Sequence, residues 1–74
     1  MKWILHVELT HKSWFEPLHK TLSFEGASLD QVLDQFKADK VRDCDLFNLR
    51  HNKATSFRDV NNVTHRWRLE EIAL

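Results

Sequence analysis

Only one stretch of this chain carries the period of an α-helix, and that sets how many layers it can build. Leu29, Val32, Leu33 and Phe36 fall at i, i+3, i+4 and i+7, one apolar face of a helix. Ahead of them Ser28-Leu29-Asp30-Gln31 has the form of a capping box, in which the Ser28 hydroxyl accepts from the N3 amide and Gln31 reaches back to the cap amide. Asp30 near the start and Lys37 and Lys40 near the end complement the helix dipole. One helix with a single apolar stripe covers one face of one sheet, so the chain is confined to two layers.

The rest alternates. Trp3, Leu5, Val7 and Leu9 oppose Lys2, His6, Glu8 and Thr10, which predicts a half-buried strand over 2–10, with Ile4 as the exception. Residues 11–17 have no period and end in Pro17, so they form a connection wider than a tight hairpin. Leu18, Leu22 and Phe24 resume a period of two over 18–25, with Lys20 interrupting the inner row and Gly26 ending the strand. Beyond the helix, Asp45, Phe47 and Leu49 share a parity that predicts a strand over 46–50, followed by a turn at His51-Asn52-Lys53 and a strand from Ala54 to Val60. Asn61-Asn62 suits a two-residue turn, because Asn tolerates the left-handed conformation. Val63, His65, Trp67 and Leu69 then alternate with Thr64, Arg66, Arg68 and Glu70. The expected fold is α+β, a two-layer ββαβββ (or ββαββ) domain with one amphipathic helix packed on one face of an antiparallel sheet.

Seventy-four residues form a single domain, residues 1–74. Three Trp and five Phe against one Gly and one Pro exclude a disordered chain. Apolar runs of two to four residues are too short to span a bilayer, and no segment has the form of a signal peptide, so a cytoplasmic location without membrane contact is expected. Cys44 is the only cysteine, which rules out an internal disulfide.

The five histidines include no pair at metal-ligand spacing, so no metal site is expected. His6, His11, His19 and His51 read as surface or turn residues and His65 as a satisfied, partly buried one. Cys44 lies between Asp43 and Asp45, the wrong surroundings for a nucleophilic thiolate. With one glycine there is no phosphate-cradling loop. These absences, and the small depth available to a pocket, point away from an enzyme and from any cofactor.

What the sequence does offer is surface. The net charge is zero, yet residues 25–45 carry six acidic against three basic side chains and residues 46–69 carry five basic against one acidic. Arg66 and Arg68 share a parity opposite to Trp67 and so face away from the helix layer. Read on a strand, Arg50 joins them. Trp14 and Phe15 lie in the connection before Pro17, outside any periodic element, either as a lid folded over the sheet edge or as anchors for a partner.

The expected function is a small non-enzymatic module that binds another protein as a stoichiometric regulator or inhibitor. By analogy of size, phages and other mobile elements encode proteins of this kind. Arg50, Arg66 and Arg68 would steer an acidic partner, and Trp14 and Phe15 would anchor it. The alternatives are a nucleic-acid-binding regulator using the same basic face and a structural homo-oligomer subunit. A pI near 7.0 weighs against a dedicated nucleic-acid binder. Unprotected sheet edges favour a homodimer under any of these readings.

Overall fold

The computed structural model describes residues 2–37 and 41–72. Along the chain these form β1 (Lys2–Thr10), β2 (Leu18–Glu25), α1 (Leu29–Lys37), α2 (Asp43–Asn52), β3 (Ala54–Arg58) and β4 (Thr64–Ile72). The four strands make one antiparallel sheet in the order β2-β1-β4-β3. Two hairpins, β1–β2 and β3–β4, therefore meet through the first and last strands, and the chain between them supplies the helical layer. Leu5 stands opposite both Leu22 and Leu69. The core is one cluster: Trp3, Leu5, Val7 and Leu69 from the sheet, Val32, Leu33 and Phe36 from α1, Leu46 and Leu49 from α2. Burial of these side chains against one face of the sheet is the main term holding the layers together.

The α+β, two-layer expectation holds, with four strands as in its ββαββ form. Strands β1 and β2 fall at 2–10 and 18–25, as the alternation predicts. At the start of α1 the Gln31 amide donates to the Ser28 hydroxyl at 3.4 Å, whereas the Gln31 side chain accepts from the Ala27 amide at 2.8 Å instead of from the cap amide itself. Lys37 closes the helix, and Lys40 lies outside the described residues.

The segment predicted as a strand over 46–50 is a helix, so the element order is ββααββ. Its ends obey helix chemistry: Asp43 and Asp45 occupy the first turn and Arg50 and His51 the last. Lys53 takes the left-handed conformation (φ 57°) after the final turn and donates to the Leu49 carbonyl at 3.1 Å. The buried side is Asp45, Leu46 and Leu49, while Phe47 points outward, so a polar residue sits inside and an aromatic one outside. That inversion removes the amphipathic period and leaves the false alternation of Asp45, Phe47 and Leu49.

Asp45, 2% exposed, compensates its burial through two bonds. It accepts from the Arg42 Nε at 2.9 Å and from the Thr55 hydroxyl at 2.7 Å, and Asn48 Nδ2 donates to the same hydroxyl at 3.4 Å. The neighbouring carboxylate holds the Arg42 guanidinium pKa above its ordinary value, first through that hydrogen bond. The network ties α2 to β3.

The β3–β4 connection also differs from expectation. β3 ends at Arg58, and the turn spans 59–63 instead of two residues. Asp59 organises it: one carboxylate oxygen accepts from the Asn61 and Val63 amides at 2.8 and 3.0 Å, and the other meets His65 Nε2 at 2.9 Å. The His65 hydrogen bond chiefly, with the two amides, holds the Asp59 pKa below the usual carboxylate value against the opposing effect of desolvation. Asn62 takes the left-handed conformation (φ 63°). His65 is half-buried on the inner row and stacks on Phe57 with ring centroids 4.6 Å apart, but its Nδ1 has no partner.

Candidate functional site

The helices cover one face of the sheet, and the antiparallel register arranges the other as a grid. Across β2, β1, β4 and β3, one row reads His19, Glu8, Arg66 and Ser56, and the next reads Thr21, His6, Arg68 and Ala54. Opposed side chains of this kind stand about 5 Å apart at Cβ. Arg66 reaches Glu8 at 3.9 Å, and His6 reaches Glu70 at 3.4 Å. Among the described residues no carboxylate pairs with Arg68. Ala54 beside it is short, and a shallow trough of about 990 Å³ takes in His6, Glu8, His19, Arg66 and Arg68 of this face and extends past β3 to Asn48 and Asn52 of α2.

Arg66 and Arg68 lie on the open face, as their parity requires. Arg50 does not. It belongs to α2 in the helical layer and pairs with Asp30 of α1 at 2.7 Å, so it holds the two helices to each other and contributes nothing to the open face. Its predicted position failed because the parity was computed on a strand that is a helix.

Trp14 and Phe15 are both exposed, Phe15 fully, which excludes Phe15 as a lid over the sheet. The connection is held by its own bonds: the Trp14 amide donates to the His11 carbonyl at 2.9 Å, and the Ser13 amide donates to His11 Nδ1 at 3.1 Å. The Trp14 ring leans on His11, with centroids 5.8 Å apart.

Because β1–β2 and β3–β4 are antiparallel hairpins on adjoining central strands, their two connections emerge at the same end of the sheet. The turn over 59–63 puts Val60 there, as exposed as Phe15. At this end Lys12 and Arg58 line a hollow of about 480 Å³ together with Thr10, His11, Asn62 and Thr64. The sequence reading missed Val60, Lys12 and Arg58. The signal that could have found them is the hairpin topology itself, which brings two distant connections together.

All four large aromatic rings of the sheet, Trp3, Phe24, Phe57 and Trp67, share the inner face. The open face thus offers arginines and imidazoles but no large ring on which a base could stack. Among the described residues no three His, Cys, Asp or Glu side chains come together to hold a metal, and no helix is long and apolar enough to cross a membrane. Cys44 is free and exposed. Comparison with protein-family models, curated proteins and solved structures finds no match.

Proposed function

We propose that this chain is a small non-enzymatic protein-binding module, a stoichiometric regulator or inhibitor of another protein. It takes its partner with the hairpin end of the sheet and the adjoining open face. The observation that carries the proposal is the full exposure of Phe15 and Val60 on two separate connections at one end of the molecule, with Trp14 beside them. Covering a Phe side chain yields about 2 kcal/mol of transfer free energy, which is available only to a molecule that buries it. Lys12 and Arg58 at the same end, and Arg66 and Arg68 on the neighbouring strand face, select an acidic surface and speed its approach. A pI near 7.0 favours a protein over a nucleic acid as the partner.

The test is affinity purification from the native host with mass spectrometry, followed by titration of the captured protein. Trp14→Ala with Phe15→Ala should weaken binding by about thirtyfold or more, the scale of an interface hot spot. Arg66→Glu with Arg68→Glu should lower the association rate. Unchanged affinity in both double variants would sink the assignment. Binding of DNA or RNA that weakens steeply with salt would put the nucleic-acid reading in its place.

A further inference from the structure

The two edges of the sheet are unlike. β3 is five residues long and α2 is fastened to it by the Asp45–Thr55 bond. β2 is eight residues long, with no Pro or Gly inside it. Its outer backbone groups are free of described backbone partners, and only the Glu25 carbonyl is taken, by the Gln35 side chain at 3.2 Å. The helices also stop short of it. Phe24 packs edge-on against Phe36, with centroids 4.7 Å apart, but Leu18 and Leu22 on the same inner row are 52% and 47% exposed. A long free edge lined on its inner side by uncovered leucines is a template for another strand.

We propose that this edge pairs with the β2 edge of a second copy of the chain, antiparallel about a two-fold axis at Leu22, joining two four-stranded sheets into one of eight. The register follows from complementarity. Opposed residues in an antiparallel pair share a face, so the axis must pass through a residue, and the central choices are Lys20, Thr21, Leu22 and Ser23. An axis at Ser23 leaves Leu18, His19 and Lys20 opposite residues 26–28, outside the strand. An axis at Lys20 opposes two ammonium groups. At Thr21, Glu25 falls opposite Pro17 of the second copy and His19 opposite its Ser23, so neither charged group of the open face meets a complementary one. At Leu22 the two leucines meet on the inner face, and on the open face His19 falls opposite Glu25 of the second copy and Thr21 opposite its Ser23. Leu18 then faces Gly26, which has no side chain to obstruct it.

Lys20 is an inward-pointing charge of the kind that protects sheet edges. In the Leu22 register it lies opposite Phe24 of the second copy, where its aliphatic stem covers the ring and its ammonium reaches water past the uncovered inner face. It therefore penalises the Lys20 register and leaves the Leu22 register open. A two-fold axis closes the pairing at two copies, because each β2 edge is consumed by the other.

Sedimentation and cysteine crosslinking test this together. The mass should rise from 8.9 kDa toward twice that value as concentration increases to about 1 mM. In a Cys44→Ser background, Leu22→Cys sits on the axis with its Cα about 5 Å from its counterpart. The two Lys20→Cys positions are four residue steps apart, about 14 Å. A short bifunctional thiol reagent should therefore link Leu22→Cys copies at least tenfold faster than Lys20→Cys copies. Leu22→Glu, at a half-exposed position, should keep the circular dichroism of the parent and associate at least tenfold more weakly. A mass fixed at the monomer value throughout, equal or faster linking at Lys20→Cys, or undiminished association of a folded Leu22→Glu would each overturn the proposal. Should Leu22→Glu fail to fold, the crosslinking ratio decides.

Discussion

Replacing Thr55 by valine tests the least expected part of this structure. The Thr55 hydroxyl donates to the Asp45 carboxylate at 2.7 Å, and both residues are buried. Valine fills almost the same volume and is at least as suited to a strand, so neither packing nor propensity opposes the change. What is lost is a hydrogen bond to a charged acceptor inside the protein, leaving one oxygen of Asp45 without its partner while the other keeps Arg42. Bonds of that type contribute about 1.5–3 kcal/mol, and a buried acceptor left unmade incurs its desolvation cost as well. A value of about 2 kcal/mol corresponds to roughly 8–16 °C in Tm for a domain of this size. Thr55→Ser provides the control, because it keeps the donor and sacrifices one buried methyl, about 1 kcal/mol. Urea and thermal unfolding followed by tryptophan fluorescence should rank wild type above Thr55→Ser above Thr55→Val. Equal stability of wild type and Thr55→Val, or a serine variant as weak as the valine, would refute the network.

Phe36 is 2% exposed and touches Phe24 and Trp67 edge-on, so Phe36→Ala should cost about 3–5 kcal/mol and leave little native near-ultraviolet circular dichroism in so small a domain. Arg50→Ala removes a pair whose two side chains are both more than half exposed, so denaturation should register less than about 1 kcal/mol, and partner binding should not change. Asp59 has its pKa lowered by folding, so its contribution is present above the ordinary carboxylate pKa and is lost as pH falls through the lower folded value. The protection factors of the amides in the 59–63 turn, exchange rates divided by their intrinsic values at each pH, should therefore fall on acidification below about 4. Asp59→Asn, which removes the titrating group, should abolish that acid-dependent step and exchange faster at neutral pH.

Local pattern carried the fold wherever burial and period agree. Trp3, Leu5 and Val7 are buried and alternate, and Val32, Leu33 and Phe36 are buried on one helical stripe, so β1 and α1 are visible in the order of residues alone. In α2 the two signals disagree. Asp45 is inside because Thr55, ten residues later in the chain, supplies a donor, and Phe47 is outside against His51, with ring centroids 4.2 Å apart. No window of sequence contains that information, because the reason for burying the carboxylate lies on another element. Loop shape was hidden for a similar reason. The Asn61-Asn62 pair marks a turn correctly, but its width is set by Asp59 gathering the Asn61 and Val63 amides and His65.

The functional surface divides along the same line. Arg66 and Arg68 were visible because parity on a genuine strand fixes a face, and Arg50 misled because parity means nothing on a helix. The hairpin end was half visible: Trp14 and Phe15 stand out in an aperiodic connection, whereas Val60, Lys12 and Arg58 join them only once the strand order is known. That order also constrains how the two proposed surfaces coexist. Pairing through β2 runs antiparallel, so the hairpin ends of the two copies point in opposite directions, and Val60, on the β3–β4 turn, lies at the far side of the sheet from the seam. If each copy can reach its partner separately, a dimer presents two equivalent sites. Linking them helps only a partner that can span the joined sheet, and for a smaller partner the stoichiometry stays one per chain. Measuring that stoichiometry with Leu22→Glu and with the parent chain would separate the two surfaces: the ratio per chain should be the same in both, and any gain in avidity should appear only in the parent.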